Sequence, residues 1–254
     1  MTVLGHSEGT VIVPKMAVDN PDKIKNFVLI GAAAQNISSI LRFQVIDLPL
    51  KYAKEVLDKD NDGLISINES STDPTFLRLI GGNFSNILTI KDPIINKTYS
   101  NNTKNEQLLN TQFDEDKNNF ISIASELRPD LEQSLEKALN STPGKCTDLE
   151  GCQKWMRSFL RSSDNLDTIS LVPNSTSILI LNGENDTQTP VEQALLLEQK
   201  LTELDHPDHT LITYPNIGHE FSLSSEWFTE LGPLASYVLQ DLFEWLSSPL
   251  RNLR

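Results

Sequence analysis

The sequence predicts an α/β fold that is interrupted by a long helical insertion. Short apolar runs that close on glycine occur near both ends of the chain, with helical periods between them. Such runs are typical of buried parallel strands joined by crossover helices. The middle of the chain lacks this pattern and is rich in asparagine, aspartate and serine. We therefore predict a core over residues 1–36 and 168–254 and a helical insertion over residues 37–167.

The expected elements follow one another as in an α/β unit. Strands are expected at Thr2–Gly5, Lys23–Gly31, Ser177–Gly183 and His209–Pro215. Core helices are expected after Ser7, over Pro190–Glu203 and over Leu234–Leu246. In the insertion, helical periods cover Ile40–Leu57, Asp73–Ile80, Asn105–Phe113, Ile123–Leu139 and Asp148–Leu160.

The composition restricts the class of partner. A formal net charge of −14 argues against a nucleic-acid ligand, because the phosphate backbone would not be neutralised. The same charge is compatible with bound divalent cations. No apolar run reaches the length of a membrane span, and no signal peptide opens the chain.

Cysteine and asparagine usage indicate an extracellular or cell-surface protein. Cys146 and Cys152 lie close together, and a local disulfide is favoured over two free thiols. Eight N-x-S/T triplets occur, and five of them lie between Ile37 and Asp167. We expect the triplets at Asn68 and Asn185 to be unmodified, since both fall inside motifs described below. An export signal would then lie upstream of Met1.

A motif near the start of the chain, Gly5-His6-Ser7-Glu8-Gly9, fits the pattern G-x-S-x-G. An apolar run precedes it, and a segment able to form a helix follows. Strand, glycine-flanked serine and helix are the context of a nucleophile elbow, where side chains in place of the two glycines would clash. Ser7 is therefore the candidate nucleophile, with an ordinary turn serine as the alternative.

A serine nucleophile needs a base to take its proton and an acid to hold that base in the right tautomer. Asp186 lies in the loop after the strand Ser177–Gly183, and His219 lies in the loop after the strand His209–Pro215. Because open α/β sheets bind ligands where parallel strands end, we expect these two residues and Ser7 at one edge of the sheet.

Each assignment has an alternative. Asp186 could instead cap the helix that begins near Pro190, which Thr187 or Thr189 could do as well. His219 could be a loop histidine without a role. No catalytic role is expected for the remaining histidines, His6, His206 and His209, and the last two lie in a polar turn where they should be solvated.

Four motifs in this order resemble those of the α/β-hydrolase family: "GHSEG", "NPDKIKNFVLIGAAA", "ILILNGENDTQTPVEQA" and "YPNIGHEF". The chain is similar to the branch of serine aminopeptidase-like, dienelactone hydrolase-like and prolyl oligopeptidase-like esterases and peptidases. The resemblance implies Ser7 as nucleophile, Asp186 as orienting acid and His219 as general base. It also implies an oxyanion donor in the backbone N–H of Glu8, a cap formed by the insertion, and a small-molecule ester or peptide substrate.

The resemblance covers about Thr2–Ala34 and Ser177 to the end. Family members carry strands before the elbow, and a loop there supplies the second oxyanion donor. We therefore expect an incomplete gene product or fragment in which the retained strands are adjacent and the first has an open, apolar edge. Loss of one oxyanion donor typically lowers the rate about a hundred- to a thousand-fold.

A separate motif in the insertion, Asp58–Glu69, fits the twelve-residue EF-hand loop that binds Ca²⁺. Gly63 occupies the sharp turn, and Ile65 is expected to pair with a partner loop. An acidic, solvated turn is the alternative. The predicted ligands are Asp58, Asp60, Asp62, the Leu64 carbonyl, Ser66 and Glu69.

The candidate partner loop is Asp114–Ser125, in which Ile121 matches Ile65. Asn119 replaces the glycine, and asparagine enters left-handed conformations more readily than most residues. Ser125 occupies the twelfth position and Glu126 comes one residue late, so we expect weak binding or a purely structural role. The predicted ligands are Asp114, Asp116, Asn118 and the Phe120 carbonyl.

Two function hypotheses follow. The first is a serine hydrolase, esterase or peptidase-like, whose cap is stabilised by Ca²⁺. The alternative is a calcium-binding EF-hand module whose hydrolase core is inactive or vestigial. Calcium sensing through an exposed methionine-rich groove is less favoured, since the chain has only 3 methionines.

Overall fold

A computed structural model of the chain describes residues 1–80, 109, 112–140, 164–228 and 230–248. Two compact units are present, one formed by Met1–Ile40 and Arg161–Arg254 and the other by Leu41–Leu160. In chain order the elements are β1 (Thr2–His6), α1 (Gly9–Asp19), β2 (Asn26–Ile30), α2 (Ile37–Arg42), α3 (Leu48–Tyr52), β3 (Leu64–Ser66), α4 (Ile67–Thr72), β4 (Phe120–Ser122), α5 (Arg128–Asn140), α6 (Asn165–Ile169), β5 (Ser177–Gly183), α7 (Val191–Glu203), β6 (His209–Tyr214) and α8 (Ser236–Ser247).

The first unit is built on a four-stranded sheet of order β1-β2-β5-β6. Every neighbouring pair of strands in it is parallel. This confirms the predicted parallel sheet and the adjacency of the strands. Among the described residues β1 pairs with β2 alone, so β1 forms an edge of the sheet.

Alternating side chains of the central strands enter two separate cores, because successive residues of a strand point to opposite faces. Phe27 and Leu29 of β2 lie in the core that also contains residues of α1 and α7. Val28 between them lies in the other core, with Val238 of α8. Burial on both faces explains why β2 and β5 are apolar throughout most of their length.

Helix α1 contains a proline, and its missing hydrogen bond is replaced by a side chain. Pro14 has no N–H to donate to the carbonyl of Thr10, four residues earlier. The buried amide of Asn165 donates to that carbonyl at 3.0 Å and to the carbonyl of Ala33 at 2.8 Å. Asn165 therefore holds α1 and the segment after β2 at the amino-terminal end of α6.

The second unit contains a helical run and a pair of short strands. The run predicted over Ile40–Leu57 is present, with π-helical turns at Phe43–Asp47 and Ala53–Leu57. Strands β3 and β4 pair antiparallel, with Ile65 opposite Ile121. Residues 74–80 are helical, as expected.

Several predictions about the insertion concern residues outside the described ranges. These are the helix Asp148–Leu160, most of the helix Asn105–Phe113, and the Cys146–Cys152 disulfide. Within the described ranges, no helix combines the length and the apolar character that a membrane span requires.

Candidate active site

Ser7 lies in a tight turn between β1 and α1. Its φ angle is 54°, in the left-handed region that serine seldom occupies. Its N–H donates to the carbonyl of Ile30 at 2.9 Å, and its carbonyl accepts from the N–H and hydroxyl of Thr10 at 2.9 and 2.6 Å. A strained residue held by three hydrogen bonds between strand and helix has the backbone form of a nucleophile elbow.

The two glycines of the motif differ in their surroundings. A Cβ on Gly5 would lie 2.4 Å from the carbonyl oxygen of Gly9, so position 5 requires glycine. A Cβ on Gly9 would meet nothing within 4 Å among the described residues. The expectation that both positions exclude a side chain is therefore right for Gly5 and wrong for Gly9.

Asp186 lies in the loop between β5 and α7 and is 3% exposed. Its Oδ1 accepts hydrogen bonds from the backbone N–H groups of Gln188 and Thr189, both at 2.8 Å. Its Oδ2 accepts from Nδ1 of His219 at 2.8 Å. Helix α7 has no side-chain cap, so the alternative that Asp186 caps this helix is wrong.

His219 lies in the loop after β6 and is 2% exposed. Because its Nδ1 carries the hydrogen bond to Asp186, its Nε2 is the ring nitrogen left to accept a proton. Within the residues that the structure describes, the side chains of Ser7 and His219 form no direct hydrogen bond. Such contacts often tighten only when substrate binds.

The residue before the candidate nucleophile contacts the candidate base. Nε2 of His6 lies 3.0 Å from the carbonyl oxygen of His219, and the two rings are 4.8 Å apart between centroids. This contact places the Ser7 turn beside the histidine loop. No sequence pattern predicts this contact, since it joins residues that are distant in the chain.

Two other residues around His219 were not expected from the sequence. Thr189 has its hydroxyl oxygen 3.1 Å from Nδ1 of His219. Gly31 has a φ angle of +61°, and a Cβ there would lie 3.1 Å from Cε1 of His219. Only a residue without a side chain leaves this space to the imidazole.

His206 differs from its expected environment. It was expected to be solvated, but it is 5% exposed. Burial has the largest effect on the pKa of His206 and lowers it. The Pro173 carbonyl and Asp208 raise this pKa, and His209 lowers it further. The polarity of the surrounding turn therefore did not predict where the ring lies.

Glu8, the predicted oxyanion donor, directly follows Ser7 and has helical φ and ψ angles of −52° and −34°. Its position before Gly9 puts its backbone N–H at the start of α1. Peptide N–H groups at a helix amino terminus point along the axis and favour negative charge.

The first candidate calcium loop brings three carboxylates together. Side-chain oxygens of Asp58, Asp60 and Asp62 lie within 4.8 Å of one another. Asp58 also accepts the N–H groups of Asp62 and Gly63, both at 3.0 Å. Glu69 lies exposed in the first turn of α4, outside this group, and its N–H donates to Oγ of Ser66.

The second loop has the same backbone form. Gly63 and Asn119, which occupy matching positions, have φ angles of +83° and +67°. Their carbonyls accept reciprocal hydrogen bonds from Ile123 and Ile67, at 2.9 and 3.1 Å. Asn119 thus adopts the left-handed conformation expected of it.

The last acidic residue of the second loop is Glu126, one residue after the twelfth position of the EF-hand pattern. Glu126, not Ser125, lies with Asp114 and Asp116 in a group whose oxygens are within 4.8 Å. A π-helical turn over Ile123–Leu127 accommodates the extra residue. Glu126 thus comes one residue late in the sequence, as the count indicates, but its carboxylate still lies with the other two.

The remaining predicted ligands of the second loop make other contacts. The Asn118 side chain accepts from the N–H of Phe120 at 2.7 Å and donates to Asp116 at 3.0 Å. Phe120 pairs with Ser66 across β3 and β4. Glu126 accepts the N–H groups of Glu115 and Ser122, at 2.9 and 2.7 Å.

Comparison with known proteins agrees with the parallel sheet and its flanking helices. The family model described as "alpha/beta hydrolase fold" matches residues 1–226, so the chain belongs to the α/β-hydrolase family. No curated protein matches the chain significantly.

Several solved structures are similar in fold. A monoacylglycerol lipase from Paleococcus ferrophilus is 17% identical, with 96% of this chain and 67% of that chain covered and a TM-score of 0.38. An esterase from Thermogutta terrifontis is 14% identical, with coverage of 97% and 64% and a TM-score of 0.43. An esterase from Exiguobacterium antarcticum is 13% identical, with coverage of 97% and 66% and a TM-score of 0.43. The chain thus spans about two thirds or less of their length.

Proposed function

We propose that the chain carries the catalytic triad of a serine hydrolase that cleaves an ester or a peptide-like acyl bond. The observation that supports this most is the buried hydrogen bond of 2.8 Å between His219 and Asp186, at the sheet edge where Ser7 occupies a strained turn. A buried imidazole–carboxylate pair beside a strained serine is the arrangement of nucleophilic acyl transfer.

In this proposal Ser7 Oγ attacks the acyl carbon while Nε2 of His219 takes the hydroxyl proton. Asp186 stabilises the imidazolium that forms, and the N–H of Glu8 donates to the oxyanion. His219 then returns the proton to the leaving alcohol or amine, and an acyl-enzyme on Ser7 remains. Water, deprotonated by His219, attacks this ester and releases the acid with Ser7 restored.

Covalent labelling with a fluorophosphonate probe tests the proposal, with Ser7→Ala as the variant. We expect labelling that is lost in Ser7→Ala and reduced by about 10⁴-fold or more in His219→Ala. Thr213→Ala, which changes a hydroxyl that bonds Glu184 on the exposed surface, is the control and should label normally. Equal labelling of the chain and of Ser7→Ala would contradict the assignment of the nucleophile.

We further propose that the insertion binds Ca²⁺ at Asp58–Glu69 and at the second loop, where Glu126 supplies the carboxylate. Two similar loops back to back, each with a group of three carboxylates, support this. Calcium takes six to eight oxygen ligands, which the carboxylates, the carbonyls of Leu64 and Phe120 and bound water would supply. The ion would stabilise the insertion and take no part in the acyl chemistry.

Titration calorimetry with Ca²⁺ separates the two loops. Glu69→Gln should weaken one binding event, and Glu126→Gln should weaken the other. Ser125→Ala removes the residue that the twelve-residue count places at the last ligand position, and it should leave both events unchanged. If Ser125→Ala weakened binding while Glu126→Gln did not, the role given to Glu126 would be wrong.

The alternative function, a calcium-binding module with an inactive hydrolase core, predicts a different pair of results. Calcium would bind tightly, and the probe would not label Ser7 with calcium or with chelator. Because labelling and calcium binding are measured on the same protein, the two functions are distinguished directly.

We also propose an extracellular or cell-surface location. Asn174 is exposed and available for glycosylation, whereas the Asn185 side chain donates to the carbonyl of Ser224 at 2.8 Å. Treatment of the protein from a secreting host with a glycosidase should therefore reduce its mass, and an Asn185→Gln variant should lose no glycan.

A further inference from the structure

Thr189 lies between the candidate acid Asp186, the candidate base His219 and the backbone of Gly31, which directly follows β2. It is 5% exposed. Its hydroxyl oxygen lies 3.0 Å from Oδ2 of Asp186, 3.1 Å from Nδ1 of His219 and 3.1 Å from the carbonyl oxygen of Gly31. One hydroxyl thus contacts the imidazole, the carboxylate that bonds the imidazole, and the backbone beside the ring.

We propose that Thr189 is a positioning residue that fixes the orientation and the tautomer of His219. This inference rests on the proposed serine hydrolase function and adds a fourth residue to it. Thr189 acts through the Asp186–His219 pair and need not touch the substrate.

The proton count supports a preference for one tautomer. Oδ2 of Asp186 can only accept, so its 2.8 Å contact with Nδ1 of His219 requires a hydrogen on Nδ1. The Thr189 hydroxyl is compatible with this tautomer, because it can donate its single proton to Oδ2 or to the carbonyl of Gly31 and present a lone pair to Nδ1. The lone pair of the imidazole then lies on Nε2, where a base for Ser7 needs it.

Thr189 also completes the hydrogen bonding of the acid. Oδ1 of Asp186 accepts two backbone N–H groups, one of them from Thr189 itself. The same residue therefore contacts both oxygens of the carboxylate, with its N–H on Oδ1 and its hydroxyl beside Oδ2. This double contact fixes the rotation of the carboxylate, so that Oδ2 is presented to His219.

The position of Thr189 is itself fixed by a buried side chain. Nδ2 of Asn182 donates to the carbonyl of Thr189 at 3.3 Å, and Oδ1 of Asn182 accepts the N–H of Ala32 at 2.8 Å. Asn182 thereby joins the loop that carries Thr189 to the segment after β2. Gly31, the third hydroxyl contact, lies next to Ala32 in the same segment.

The test compares Thr189→Val, which keeps the shape and removes the hydroxyl, with Thr189→Ser, which keeps the hydroxyl. The control is Thr176→Val, since Thr176 is 1% exposed and its hydroxyl has no hydrogen-bond partner in the described part of the chain. Because Thr176 completes the glycosylation triplet at Asn174, all variants are produced in a host without N-glycosylation. Thr176 precedes β5, at the end of the sheet away from the site. The reporter is the rate of fluorophosphonate labelling as a function of probe concentration.

We expect Thr189→Val to lower the maximal labelling rate roughly 10- to 100-fold, with the half-saturating probe concentration unchanged. Thr189→Ser should return the rate to within about threefold of the parent chain, and Thr176→Val should leave it unchanged. If Thr189 had a purely structural role, Thr189→Val would lower the labelling rate only by lowering the fraction of folded protein. In that case Thr189→Ser would not restore the rate when its thermal stability equals that of Thr189→Val. A Thr189→Val rate within about twofold of the parent would overturn the proposal.

A second measurement does not depend on activity. In Ser7→Ala protein, the proton on Nδ1 of His219 should give a low-field resonance in the ¹H NMR spectrum. Thr189→Val in that background should shift or broaden it, and Thr189→Ser should not. An unchanged resonance in Thr189→Val would overturn the positioning role of Thr189, whatever the labelling shows. Labelling that does not depend on Ser7 would instead refute the proposed serine hydrolase function and leave the result for the resonance unaffected.

Discussion

At the scale of single residues, three positions with unusual backbone conformation lie in or beside the loop that carries His219. Ser7, Gly31 and Phe221 all have positive φ angles, of 54°, 61° and 56°. Phe221 lies two residues after His219 and is 2% exposed, and a bulky residue rarely adopts this conformation. Each strained non-glycine residue costs about 1–3 kcal/mol, so the surrounding contacts must hold these loops in place.

The first prediction concerns Gly31. Gly31→Ala should lower the free energy of unfolding by about 1–3 kcal/mol, because alanine is strained at positive φ and its methyl group contacts the His219 ring. It should also slow fluorophosphonate labelling, since the imidazole must move. Thermal unfolding and labelling rates check both effects. Gly9→Ala is the stability control; a loss there as large as at Gly31 would contradict the steric argument.

The second prediction concerns pH and His206. Because burial lowers the pKa of this residue in the folded protein, the unfolded state binds the proton more readily. The contribution of the buried, neutral His206 to the free energy of unfolding is therefore fully present above about pH 6.5, the ordinary pKa of histidine. This contribution is lost as the pH falls below that value.

Urea unfolding at pH 7.5 and 5.5 measures this contribution. His206→Gln should reduce the loss of stability between the two values by up to about 1 kcal/mol. If the His206 variant lost as much stability as the parent chain, another group would be responsible.

At the scale of elements, α1 depends on a side chain distant in sequence. The carbonyl of Thr10 loses its partner in the helix because Pro14 lacks an N–H, and Asn165 supplies the replacement. The same amide satisfies the Ala33 carbonyl. Asn165 is fully buried, so its removal leaves two carbonyls without a donor.

The third prediction follows from this exchange of partners. Asn165→Ala should lower the free energy of unfolding by about 2–4 kcal/mol. Adding Pro14→Ala restores an N–H for the Thr10 carbonyl and should recover part of that loss. Asn20→Ala removes an exposed bond to Met16 and should cost less than about 1 kcal/mol. No recovery in the double variant would show that the Thr10 carbonyl is not the affected group.

Elements were predictable from sequence where a local pattern determines them. The strand Ser177–Gly183 is buried at every residue, and its apolar run predicted this. Asp186 follows β5 and His219 follows β6, and because these two strands pair in parallel the sheet brings both residues to one edge. Thr189 and His6 could not be identified in this way, because their contacts with His219 join loops that are distant in sequence.

Glu126 shows a different limit. The twelve-residue count assumes a regular helical turn after the loop, whereas the chain forms a π-helical turn over Ile123–Leu127. The extra residue in this turn brings Glu126, instead of residue 125, to the group formed with Asp114 and Asp116. Hydrophobic periodicity carries no signal for such a turn, since the buried Leu127 fits either register.

At the scale of the whole molecule, the chain has a net charge of −14 and divides into two units. We expect Ca²⁺ to act on one of these units and not on the other. In the described residues, both groups of three or more clustered acidic side chains lie in the second unit. Carboxylates held together repel one another, and a bound divalent cation removes this repulsion. Calcium should therefore stabilise the second unit and leave the α/β unit unchanged.

The last prediction measures this selectivity by hydrogen exchange. At calcium concentrations about 100 times the dissociation constant, mass action adds about 2.7 kcal/mol to the folded state. Amides of β3 and β4 that exchange by opening of this unit should therefore slow by up to about 100-fold. Amides of β2 and β5 belong to the other unit and should keep their rates. The Glu69→Gln, Glu126→Gln double variant should lose the protection, because each loop then lacks a charged carboxylate. Equal slowing of β3 and β5 would mean that calcium acts on the molecule as one cooperative body, and slowing in neither would mean that the paired loops are only a structural link.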